Sequence, residues 1–407
     1  MKLALRFSKL GTETAFAVAE EARCVAHTGM QVYPFHLGDI NLKTPGHITE
    51  AAVKAIHDGK TCYCSNYGID ELREALAADI NRSHGTSYTA ANVAIQPGGK
   101  PVIQKFLLAL MNPGDGVLYP NPGYPIYESM IAFHGGTPVP YSYRDMDNGF
   151  LLDLEELQSR IGSRVRFLIF NNHHNPTGAD ASRETLHALS ELVLRHDLTV
   201  LCDEAYFDIR YEGQPSSLVS LPGMSDRCLI LYSFSKKFAM TGWRLGAAVG
   251  PAELADSIAK LNVNDESCSN HFVQYAGVQA LLGPQEEARK ILGTLKTRRD
   301  LCHELLTAIP GVRCTRPNST FYLFPNVTAL MDRLGFEQYE QFRRAVLEAT
   351  GVSFCTRLHF GSPLPGERER YLRFAYSGID LDMIEAGLKR LRAFAERGAS
   401  PGRTRTG

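Results

Sequence analysis

The residues best placed to do chemistry run Ser233-Phe-Ser235-Lys236-Lys-Phe-Ala-Met-Thr-Gly242-Trp-Arg244-Leu-Gly246, directly after a short apolar stretch, 228–232. A lysine presented at the end of such a stretch suits a Schiff base to an aldehyde. Two hydroxyls before it, Ser233 and Ser235, and an arginine after it, Arg244, suit a phosphate dianion. Pyridoxal 5'-phosphate needs both sets: an amine to hold its aldehyde, and cations or hydroxyls for its phosphate.

Other segments carry complementary groups. Asp203 follows the apolar run 198–202 and begins Asp203-Glu-Ala-Tyr206. A carboxylate there can pair with a pyridine nitrogen, keep it protonated and make the ring an electron sink. Asn175-Pro-Thr-Gly178 follows the apolar run 167–170. Gly98-Gly99-Lys100 lies between a strand-like stretch and a helix beginning near Pro101, where backbone N–H groups form an anion site. The dinucleotide pattern G-x-G-x-x-G is absent there. Pro120-Asn-Pro-Gly-Tyr124-Pro-Ile-Tyr127, Tyr63 through Arg73, His36-Leu-Gly38 and Tyr371-Leu-Arg373-Phe-Ala375 complete the set.

In order, from about Gly38 to Arg373, these segments resemble the class I/II aminotransferases, pyridoxal-phosphate enzymes of fold type I in the aspartate aminotransferase superfamily. The resemblance implies that Lys236 carries the cofactor and then acts as general base, with Asp203 and Tyr206 as its catalytic partners. It implies that the backbone of Gly98, Gly99 and Lys100 cradles the phosphate together with Ser233, Ser235 and Arg244. Tyr124 would stack on the ring. Asn175 and Tyr206 would share its phenolic oxygen. Arg373 would fork onto the substrate α-carboxylate beside Asn175 and the backbone of Gly38. Tyr63 would reach the phosphate of a neighbouring subunit, which implies a homodimer with composite sites. Tyr127 and Arg73 are read as structural.

The chain departs from the family pattern twice. His173 stands where a proline is usual, and surface placement is expected for His173 and His174. Gly38-Asp39-Ile40-Asn41 replaces G-x-P-D, which leaves open what faces the substrate side chain. His173, His174, Arg210, His271 and Tyr322 are pocket candidates, each expected to be structural, and no basic residue for a dicarboxylate stands out. The implied reaction is amino-group transfer between an L-amino acid and a 2-oxo acid. A β-lyase of the carbon–sulfur type on the same fold is the alternative. A cofactor-binding regulator would need a DNA-binding domain, for which residues 1–45 leave no room.

Strand-like runs at 93–95, 116–119, 137–140, 165–170, 198–202, 228–232 and 246–249 alternate with helical stretches at 69–83, 101–111, 183–196 and 270–282. Such alternation predicts an α/β domain built on a mainly parallel seven-stranded sheet, with ligands at the strands' carboxyl ends. From about residue 285 long helices and short strands predict a smaller α+β domain. The expected division is 46–290 for the large domain, 1–45 with 291–397 for the small one, and a disordered tail at 398–407. The chain has 407 residues, 44% hydrophobic and 21% charged, with a net charge of −1. That balance fits a soluble protein and argues against nucleic acid as a partner. No run approaches the ~20 apolar residues of a membrane span. Nine scattered cysteines without zinc spacing predict reduced thiols, no metal and a cytoplasmic location.

Overall fold

The computed structural model describes residues 1–11 and 14–397; the tail expected to be disordered lies outside the described residues. The seven expected strands all form. They are β1 (Val93–Gln96), β2 (Gly116–Pro120), β3 (Thr137–Tyr141), β4 (Val165–Phe170), β5 (Thr199–Asp203), β6 (Cys228–Ser233) and β7 (Gly246–Val249). They lie in one sheet in the order β1-β7-β6-β5-β4-β2-β3.

The neighbouring pairs from β6 through β3 are parallel, whereas β7 runs antiparallel to both β6 and β1. Six strands therefore end on the same edge, and β7 begins there. Register places Gly246 opposite both Ser233 and Gln96. This is how Arg244, two residues before β7, reaches the edge that also carries Lys236 and Gly98.

Alternate residues of each strand enter separate apolar layers, as the strand period of two requires. Cys202, Ile230 and Tyr232 face one layer, with Leu72, Leu76 and Ile80 of the helix α1 (Asp70–His84). Leu201, Leu229 and Leu231 face the other, with Ile103 and Phe106 of α2 (Lys100–Leu110) and Tyr127 of α3 (Ile126–Phe133). The strands are buried on both faces, which explains their continuous apolar runs.

α1 has strong end signals. Asp70 and Glu71 open it, Arg82 and His84 close it, and Gly85 takes φ +69° just beyond. Acidic residues at the start and basic ones at the end oppose the helix dipole, and a left-handed glycine terminates the turn.

A further core packs Phe321, Leu323, Phe374, Ile384 and Leu388 together. Its three-stranded sheet orders β8 (Tyr322–Leu323), β10 (Leu372–Ala375) and β9 (Cys355–Thr356). Tyr33–Pro34 pairs in parallel with Val352–Ser353 and ties the early chain to this core.

Candidate active site

A cavity of about 510 Å³ opens at the strand-end edge, between the sheet and the core around β10. The expected residues Gly38, Gly99, Lys100, Tyr124, Asn175, Asp203, Tyr206, Ser233, Ser235, Lys236, Arg244 and Arg373 all line it. Gly98 lies immediately behind, its backbone at φ +100°. A Cβ there would come 2.1 Å from Arg244 Nη2, so the guanidinium occupies the space that a side chain would fill.

Lys236 lies in the four-residue helix Phe234–Lys237, whose first turn is capped by Ser233 Oγ, accepting from Ser235 N at 3.2 Å. Its Nζ donates to Gly38 O at 2.9 Å. Lys237 turns the other way, forming an ion pair with Asp208 at 2.9 Å. Arg244 takes a left-handed φ of +54° and donates from Nη1 to Thr241 O at 2.8 Å.

Asp203 is the last residue of β5 and is buried. Tyr127 Oη donates to its Oδ2 at 2.5 Å, and Ala205 N donates to Oδ1 at 3.1 Å. Burial pushes the carboxyl upward, and the adjacent Glu204 charge adds to this. The hydrogen bonds from Tyr127 and Ala205 and the Lys236 charge oppose it. Tyr127, read from sequence as structural, thus touches a group at the centre of the cavity. Its signal was the three-residue offset from Tyr124, just before α3, which leaves the two rings 5.7 Å apart, edge to face.

Arg373 stands on β10. Its Nη1 donates to Asn175 Oδ1 at 3.1 Å and its Nη2 to His36 O at 2.8 Å. The guanidinium lies 4.4 Å from the Tyr322 ring centroid and 4.5 Å from that of Phe360. Burial, then the Arg373 charge, lower the pKa of His36 to about 4, so it stays neutral beside that cation. Asn175 is held by Asn171, whose Oδ1 accepts from Asn175 N at 3.0 Å and whose Nδ2 reaches Asp203 O at 2.9 Å. Tyr206 and Tyr322 share a hydrogen bond of 2.6 Å between their hydroxyls. Tyr322, a pocket candidate for which a structural role was expected, lines the cavity.

Tyr63 is outside this cavity, with 83% of its surface exposed. The surface expectation for His173 and His174 is overturned, because both are fully buried. His174 stacks on Tyr143 at 4.4 Å, and His173 meets Phe207 edge-on at 5.9 Å. Ring packing buried a run that reads as polar. His173, His174, Arg210 and His271 do not line the cavity. Sequence reasoning missed Phe16, Leu37, Asp39 and Ile103, which do. Among the described residues no group of His, Cys, Asp or Glu could hold a metal ion, and no helix is long and apolar enough to cross a membrane.

The aspartate aminotransferase of Thermus thermophilus solved with maleate superposes with a TM-score of 0.89 at 30% identity, covering 97% of this chain and 99% of that one. The alanine aminotransferase of Pyrococcus furiosus gives 0.89 at 28% identity, covering 97% and 100%. The fold is thus that of the type I pyridoxal-phosphate transferases. An aspartate/prephenate aminotransferase of Cereibacter sphaeroides is 34% identical over 389 residues, 93% of this chain and 94% of that protein. An aspartate aminotransferase of Bacillus subtilis is 30% identical over 401 residues, 98% and 100% of the two. Residues 32–391 match the family described as aminotransferase class I and II, and the chain belongs to that family. It is a pyridoxal-phosphate-dependent aminotransferase that moves an amino group between an amino acid and a 2-oxo acid.

Proposed function

We propose that this transaminase takes a dicarboxylic amino donor, aspartate first, and that Lys100 reads the donor's side-chain carboxylate. The observation carrying this is the set of cations lining the cavity: Lys236, Arg244, Arg373 and Lys100. Assigning the first three to aldehyde, phosphate and α-carboxylate leaves Lys100. Its Nζ lies 5.9 Å from the Tyr124 ring centroid and 6.0 Å from that of Phe16. Relatives named aspartate aminotransferase support the same substrate class. Lys100→Gln keeps the backbone cradle and removes the charge. Loss of one charged hydrogen bond predicts that kcat/KM for aspartate falls about 10- to 100-fold while that for alanine holds. An equal loss for both donors, or none for either, rejects the assignment.

The donor set suits the cofactor. Bound, pyridoxal phosphate supplies an aldehyde for amines and an electron-withdrawing ring next to the substrate Cα. The remaining roles fall to the protein. Lys236 Nζ anchors the group and then takes the proton from substrate Cα as general base. Asp203 holds a proton on the ring nitrogen, and Tyr127 fixes that carboxylate. Tyr206 and Asn175 serve the phenolic oxygen. Gly98, Gly99 and Lys100 at the start of α2, with Ser233, Ser235 and Arg244, bind the phosphate, where the helix terminus favours an anion. Arg373, clamped by Asn175 and the His36 carbonyl, orients the α-carboxylate, and its planar fork suits that group.

The same reading makes the protein a homodimer whose sites borrow Tyr63 from the partner, supported by that ring's exposure outside its own cavity. It places the enzyme in the cytoplasm, supported by nine free cysteines. It divides the chain into 46–290 and 1–45 with 291–397, supported by the pairing of Tyr33–Pro34 with Val352–Ser353.

A further inference from the structure

β5 ends in Asp203, the next residue is a second carboxylate, Glu204, and the alternation of the strand carried one residue on sends the two to opposite faces of the sheet. Asp203 enters the cavity. Glu204, also buried, faces the layer containing α1. There His84 Nε2 meets Glu204 Oε2 at 2.6 Å, and Ser217 Oγ donates to Glu204 Oε1. His84 is the last residue of α1, where the helix dipole favours a cation. Its ring stacks on Phe207 at 4.4 Å and 22°, and its Nδ1 lies 2.8 Å from Ser83 Oγ. The pair lines a second cavity, of about 200 Å³, on the face away from the cofactor site.

The other charged and titratable groups around it come from several segments. α1 contributes Asp79 and Arg82, which pair with each other. The turn after β5 contributes Asp208, which pairs with Lys237 from beyond β6, next to Tyr232. His173 closes the far side of Phe207. With those pairs satisfied, His84 is the cation left to offset Glu204. Burial works against the charged imidazole, but the Glu204 carboxylate, then Asp208 and Asp79, outweigh it and raise the His84 pKa.

We propose that His84 is a positioning residue for the cofactor ring: its imidazolium cancels the Glu204 charge behind β5 and so holds Asp203 as a carboxylate on the opposite face. This rests on the reading of Asp203 as the ring-nitrogen partner. The sign follows from the two carboxylates being neighbours. An uncompensated Glu204 anion makes a second negative charge at Asp203 harder to form, so Asp203 takes up its proton at a higher pH. Asp203 then fails earlier as pH falls, and the acidic limb of kcat/KM moves toward neutrality.

The test is charge removal and charge rescue. His84→Gln keeps a donor to Glu204 and removes the cation. Its expected effect is about a tenfold loss, relative to wild type, in both kcat/KM and apoenzyme affinity for the cofactor near pH 6. Near pH 8.5 both should stay within about twofold. Glu204→Gln alone should leave the acidic limb in place or move it to lower pH. The double variant should return it to the wild-type position. A folded His84→Gln with an unmoved limb, or a double variant no better than His84→Gln, overturns the proposal and leaves His84 a packing residue. Cofactor affinity of the apoprotein and thermal midpoint are read beside activity, so that a folding defect is recognised at all pH values rather than at low pH alone. Asp203→Asn measured in parallel separates the two layers. If it retains wild-type turnover, the underlying reading of Asp203 fails; if it is impaired while His84→Gln is silent, only this inference fails.

Discussion

The strand-end wall and the loop carrying Tyr63 make opposite use of their side chains. Along the wall, Asp203, Asn175 and Arg373 are buried and bonded to one another's neighbours. In the loop the backbone is pinned while the key ring is not. Asn66 Nδ2 donates to Ala259 O at 2.8 Å, Tyr67 Oη binds Asp256, and Gln274 Nε2 reaches Cys64 Sγ at 3.2 Å. Tyr63 itself projects into solvent. An aromatic residue held out by an anchored loop is available to a neighbouring chain, whereas the wall's side chains are bonded within their own. The comparison teaches that buried, mutually bonded side chains form the wall, whereas the anchored loop leaves its aromatic ring exposed, as the proposed composite site would require.

The comparison breaks most sharply at Lys236. Lys236→Ala should lose about 10⁴- to 10⁶-fold in turnover, the scale for removing a nucleophile that also moves the proton. Lys237→Ala, facing the other cavity, should keep most activity, and borohydride reduction should label Lys236 alone. A label on Lys237 would reverse the assignment.

Asp203→Asn comes next. Losing the ring-nitrogen charge partner should slow proton abstraction by roughly 10²–10³-fold with the cofactor still bound. Turnover close to wild type would remove Asp203 from the wall's chemistry.

The smallest single effect belongs to the loop. Tyr63→Phe should cost about 10- to 100-fold in cofactor affinity, the scale of one hydrogen bond to a charged group. Its value lies in mixing. Heterodimers of Tyr63→Phe and Arg373→Ala chains should contain one intact site and regain activity above either parent. Verified heterodimers without recovery would place both residues in one subunit's site and erase the distinction.

The wall was legible in the sequence because each of its groups ends, follows or interrupts a local apolar run. Asp203 closes β5, Lys236 follows β6, and Arg373 sits within β10. The strand boundaries of β4 and β7 fell where the apolar runs did, and most others shifted by about one residue, as fraying ends do. What stayed hidden depends on contacts across long stretches of chain. Phe16 and Asp39 reach the cavity from the early segment, which no local period reveals. Tyr127 takes its meaning from a carboxylate 76 residues later. His173 and His174 read as surface because a run of Asn and His is polar, yet Tyr143 and Phe207 supply the ring faces that bury them.

The crowded seat at Gly98 has a consequence for how tightly such an enzyme retains its coenzyme. A Cβ at position 98 would meet Arg244 Nη2 at 2.1 Å, and one at position 246 would meet the Gly98 carbonyl carbon at 2.8 Å. The three positions therefore crowd one another: a side chain at 98 would have to displace the flexible end of Arg244, and one at 246 would press on the Gly98 backbone. For an engineer, the smallest enlargement of residue 98 displaces the guanidinium, and with Arg244 proposed as a phosphate partner it becomes a dial on coenzyme retention.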